Sequence, residues 1–103
     1  MLWIINDGFF VISGNGNMYR IPLKSNTEIT IKEGVLITRL TIDGGGICAI
    51  EGNGSGTYNS LELEFSKDHE ARTFYDVLIN AKNHNYKTKA GIVFVMVPRV
   101  WPE

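Results

Sequence analysis

LELEFSKDHEARTFYDVLINAKN, residues Leu61–Asn83, carries two periodicities in one unbroken stretch. Leu61, Leu63 and Phe65 alternate with Glu62 and Glu64, the period-2 pattern of a strand with one buried and one wet face. Ala71, Phe74, Tyr75, Leu78 and Ala81 then recur at spacings of three and four, which predicts an amphipathic helix over about 67–83. Arg72, Thr73, Asp76 and Asn80 fill its opposite face. Ser66 is placed to serve as N-cap. Asp68 and Glu70 suit the positive end of the helix dipole, and Lys82 the negative end. One amphipathic helix cannot bury its stripe alone, so it requires a sheet.

The remaining sequence reads as that sheet. Leu2–Ile5 and Phe9–Ile12 flank Asn6-Asp7-Gly8, a tight hairpin or a bulge. Gly14-Asn15-Gly16-Asn17 predicts a turn, and Met18–Leu23 a strand whose Pro22 favours an edge or bulge. Thr27–Lys32 alternates, with Ile29 and Ile31 on one face. Glu33-Gly34 predicts a tight turn into a strand Val35–Ile42, where Leu36, Thr38, Leu40 and Ile42 share a face. Asp43–Gly46 reads as a turn, Ile47–Glu51 as a strand and Gly52–Ser60 as a long flexible loop. A final strand, GIVFVMV over 91–97, is apolar on both faces: Ile92, Phe94 and Met96 on one, Val93, Val95 and Val97 on the other. The expected fold is α+β: a single domain over residues 1–103, mostly antiparallel β, a curled sheet or small barrel of six to eight strands capped by one helix.

Met18–Leu23, followed by Ile29 and Ile31, resembles the second strand of the pleckstrin-homology-like superfold in its compact bacterial or viral form. Phe65, Ser66, Glu70, Ala71, Phe74, Tyr75 and Leu78 resemble the last strand feeding its capping helix. The resemblance spans residues 8–83 and implies a binding module. Members that bind inositol phosphates carry basic residues around the first hairpin; Gly14–Asn17 has none, which argues against that ligand.

Composition narrows the chemistry. A net charge of −1 with 20% charged residues excludes a wholesale electrostatic binder of nucleic acid or membrane. Cys48 is the sole cysteine, so no internal disulfide or thiolate metal cluster can form, which suits a reducing, cytoplasmic setting. The apolar N-terminus lacks a basic n-region and reads as a strand, and no run reaches transmembrane length. Membrane insertion is not expected.

Candidate sites are few. Gly52–Gly56 resembles a phosphate cradle only in composition, because a strand follows it where a helix should open. Asp43–Gly46 fails the same test. His69 and His84 sit about 22 Å apart along the helix and cannot share a metal within one chain. Cys48, between Ile47 and Ala49, reads as a core or half-buried residue. Glu62 and Glu64 stand roughly 7 Å apart on one strand face, a spacing open to paired carboxylates but commonplace on a wet strand. No catalytic constellation, metal site or cofactor is expected.

Two surfaces are. Lys82, Tyr86, Lys87 and Lys89, with Arg99, combine cations and an aromatic that could hold phosphates and stack a base; the alternative is a solvated loop. The doubly apolar final strand, together with Trp101, points to self-association, with Val93, Val95, Val97 and Trp101 at the contact. The expected function is thus a non-enzymatic binding or assembly module, of the kind a small viral or mobile-element accessory protein would be, that self-associates and binds a protein partner. The alternative is a small nucleic-acid-binding protein; an enzyme without a recognisable motif comes third.

Overall fold

The computed structural model describes residues 1–84, 88–95 and 97–102. Eight strands and one helix follow in the order β1 (Leu2–Asn6), β2 (Phe9–Gly14), β3 (Asn17–Pro22), β4 (Glu28–Glu33), β5 (Thr38–Glu51), β6 (Gly54–Phe65), α1 (Asp68–His84), β7 (Thr88–Ile92) and β8 (Val97–Trp101). All pairings are antiparallel, in the order β7-β1-β2-β3-β5-β6-β8, with β4 also on β5. The protein is α+β, an eight-stranded curled sheet with a single helix.

Local chemistry fixes the hairpins. Asp7-Gly8 and Asn15-Gly16 both take positive φ at each central residue. That is the type I′ geometry whose twist matches flanking strands. Gly52-Asn53 closes the β5–β6 hairpin with Gly52 at φ 56°. The predicted loop over Gly52–Ser60 is therefore only this two-residue turn, and Gly54 onward is strand. Alternation is hidden there by glycines and small polar residues, which carry no hydrophobic period.

Asp43–Gly46 is no turn either. β5 runs through it, and the register on β6 jumps from Asp43↔Ser60 to Ile47↔Tyr58. Gly45 and Gly46 take positive φ, and a Cβ at Gly46 would press on Pro22. The bulge bends β5, so that β4 pairs with its first half and β3 with its second. The predicted Val35–Ile42 strand begins only at Thr38. Residues 34–37 form a wider hairpin tip, in which Gly34 N–H donates to Ile37 O at 2.8 Å, and Leu36 lies outside the core.

The C-terminal strand also differs. It divides into β7 on β1 and β8 on β6, so its two halves form opposite edges of the sheet. Ile92 ends β7 and Val97 begins β8. Five steps of chain at roughly 3.6 Å each limit the distance between those edges to about 18 Å. This tether is why the sheet must curl. Pro98 pairs within β8 opposite Leu63.

α1 packs on the inner side of the curl through Ala71, Phe74, Leu78 and Ala81, the stripe read from its spacing; Tyr75 is half-buried. Phe74 is the anchor, its ring 5.7 Å from Trp3, 5.5 Å from Phe10 and 6.1 Å from Phe65. Lys67, not Ser66, accepts the first helical bond, from Ala71 N–H. Asp68 instead accepts from Thr38 Oγ1 at 3.0 Å and from Arg72 Nε at 2.7 Å, joining the helix start to β5.

Candidate functional site: two apolar surfaces

In β1 the inward residues are Trp3 and Ile5, which leaves Leu2 and Ile4 outside. The register carries that outward face across neighbouring strands. One row runs Ile92, Leu2, Ser13, Met18, Ile50; the next runs Ala90, Ile4, Val11, Arg20, Cys48. Leu2, Ile4, Met18, Ile50 and Ile92 are between 43% and 68% exposed. Charge is scarce in these rows. Arg20 lies flat over the Phe9 ring, 3.7 Å from its centroid. Even this cation therefore covers apolar surface. Ile4, Phe9, Val11 and Arg20 border a shallow depression of about 450 Å³.

The second surface is a groove of about 380 Å³ between α1 and the end of β7. Trp3, Phe74 and Val93 form its floor, with Val77, Ile92 and Phe94 at its sides and His69, Glu70 and Thr73 along one rim. Trp3 is held there by Gly91, its cross-strand partner: a Cβ at Gly91 would lie 2.7 Å from the indole. Ile92 belongs to both surfaces, so they are continuous.

The anticipated contact residues are redistributed. Val93 is inside the core at 6% exposure and cannot form an outer contact. Val95 is half-buried, and Val97 is placed by its backbone opposite Glu64, its side chain outside the described residues. Ile92 and Phe94, assigned to the other face, are the exposed pair, at 68% and 73%; Met96, assigned with them, lies outside the described residues. Trp101 is exposed on β8, away from the β7 rows. Cys48, expected to be a core or half-buried residue, is exposed on the outer face.

Of the basic cluster, Arg99 is held in an ion pair. Arg99 Nη1 binds Glu64 Oε1 at 3.0 Å, and Arg39 Nε approaches Glu62 at 3.4 Å and Glu64 at 3.7 Å. The two arginines lie over Glu64, whose side chain is only 7% exposed. The two glutamates thus pair with guanidinium groups, and Arg99 is committed to that network. Lys82 lies in the last turn of α1 and Lys89 on β7. Tyr86 and Lys87 lie outside the described residues.

Neither family models, curated proteins nor solved structures gave a match to this chain. Its chemistry must be read from the fold. Among the described residues no group of three His, Cys, Asp or Glu side chains could hold a metal ion, and no helix is long and apolar enough to cross a membrane. Tyr19 is fully buried and donates its hydroxyl to Glu51 at 2.8 Å. Burial, reinforced by that carboxylate, pushes its pKa far above the ordinary tyrosine value. Tyr19 is thus a structural donor, not a proton-transfer group at neutral pH.

Proposed function

We propose that this protein is a non-enzymatic, cytoplasmic binding and assembly module that associates with a second copy of itself through the outer face of β7-β1-β2-β3-β5. One observation carries the proposal: five large apolar side chains from β7, β1, β3 and β5, in two registered rows, stand about half-exposed with one cation among them. A face of this kind on a monomer is a recognised mark of an interaction site. The likeness to pleckstrin-homology-like modules, a curled sheet closed by a helix, belongs to the same proposal.

Magnitude sets the strength. Five strands at about 4.8 Å and two outward rows about 7 Å apart give, with side-chain margins, roughly 400 Å² per copy. A standard stable interface buries about 800 Å² per partner. An area of about half that size places the dimer among weak, transient contacts, for which a micromolar dissociation constant is the expected order. Its face also offers the protein partner a surface when the dimer is dissociated.

Cys48 lies in the second row beside Arg20 and is a built-in reporter. Its alkylation by a small maleimide slows as protein concentration rises through the micromolar range. A rate independent of concentration would exclude this face. Nucleic-acid binding is the weaker reading, because Arg99 is committed to Glu64 and the lysines that remain are a small electrostatic footprint.

A further inference from the structure

The β4–β5 hairpin ends in two branched aliphatic residues that the fold does not use. Val35 is 102% exposed and Leu36 85%. Gly34 N–H donates to Ile37 O at 2.8 Å, and a Cβ on Gly34 would stand 2.7 Å from that oxygen, so the turn is closed by a contact only glycine permits. An apolar knob held out in water by a closed turn is a contact without its socket.

The groove between α1 and β7 has the complementary character. It is apolar, half-open and floored by Trp3 and Phe74, with a volume of about 380 Å³. At about 30 Å³ per water molecule, roughly a dozen waters would fill it and be released by an apolar occupant. One complementary charge pair is available between the knob and the rim. Lys32 flanks the knob and Glu70 the groove, and among the described residues neither is in an ion pair, whereas Glu33 beside the knob is bound to Arg72 at 3.5 Å. The knob stands beside the Arg72 flank of α1 and the groove opens on the His69, Thr73 and Val77 flank. Knob and groove thus lie along different flanks of the helix.

We propose that Val35 and Leu36 of one copy seat in the groove of a second copy, with Lys32 of the first against Glu70 of the second. This rests on the reading that the chain associates with itself, but it uses a different surface from the outer sheet face. Knob and groove are different patches: two tips exchanged about a two-fold axis close an isologous dimer, and a head-to-tail, heterologous arrangement propagates.

Complementation tests it. Leu36→Ser removes the knob and leaves the groove; Thr73→Arg fills the groove from an exposed helix position and leaves the knob. Both are made in full-length protein carrying Ile4→Glu, which removes the sheet-face contact. In sedimentation velocity each double variant alone associates at least about tenfold more weakly than their mixture, as loss of one buried aliphatic anchor requires. The mixture gives a 1:1 species of twice 11.5 kDa, because one knob and one groove remain intact. A mixture that sediments as the sum of its parts up to several hundred micromolar overturns the proposal, as does either variant associating alone as well as the mixture. If Ile4→Glu by itself leaves Cys48 alkylation unchanged, only the sheet-face reading fails.

Discussion

Replacing Phe74 with alanine should be among the most damaging substitutions available in this chain. Its ring is 4% exposed and meets three aromatic rings from β1, β2 and β6 at centroid separations of 5.5–6.1 Å. Truncating a buried Phe costs about 3–5 kcal/mol, including the cavity. Each aromatic pair adds about 0.5–1.5 kcal/mol beyond area burial, part of which that range already contains. Phe65 and Phe10 lie on strands fixed by neighbours on both sides. The site therefore cannot collapse, and a loss of about 4–5 kcal/mol is expected. For a domain of this length total stability is about 5–15 kcal/mol, so the variant would be marginal. Urea unfolding followed by the fluorescence of Trp3, which touches the Phe74 ring, measures it directly. Asn80→Ala, on the exposed face of α1, should change stability by no more than about 0.7 kcal/mol and in the stabilising direction. Equal losses from the two substitutions would refute the assignment of the buried helix face.

Three further outcomes follow from the same contacts. Gly91→Ala forces a Cβ to 2.7 Å from the Trp3 ring. That overpacking should cost about 1–3 kcal/mol and shift the Trp fluorescence. Tyr19 should ionise well above the ordinary tyrosine range in an ultraviolet absorbance titration. Because its folded pKa is raised, the stability it contributes is intact below about pH 10 and falls as pH climbs from there towards the folded value. Labelled single-stranded DNA or RNA at low salt should show no anisotropy change; salt-sensitive binding abolished by Lys87→Glu with Lys89→Glu would restore the nucleic-acid reading.

The helix and its stripe were legible because five apolar side chains repeat on one face with little interruption, and the inner faces of β5 and β6 were legible for the same reason. The glycine-rich segments were not. Asp43-Gly44-Gly45-Gly46 has the composition of a turn, yet the neighbouring strands hold it as a bulge, and only the pairing partners show that. The final strand misled in a different way. Apolar residues on both faces said that both were covered or sticky, but not which was which. Val93 is inside because the β1–β7 ladder continues past Ile92, with Val93 N–H bound to Met1 O and the Met1 amino group to Val93 O. That long-range register decides the outer face, and no local period encodes it. The groove was out of reach altogether, since Trp3, Phe74 and Phe94 meet only in the folded chain.

Sedimentation velocity of the wild-type protein and Ile4→Glu, each from about 1 to several hundred micromolar, tests the assembly account most directly. The account requires the wild type to move with concentration from 11.5 kDa towards twice that mass or beyond, with a micromolar midpoint. It also requires Ile4→Glu to shift that midpoint at least about tenfold upward. Wild-type protein that remains at 11.5 kDa across the whole range, with Ile4→Glu indistinguishable from it, would contradict it.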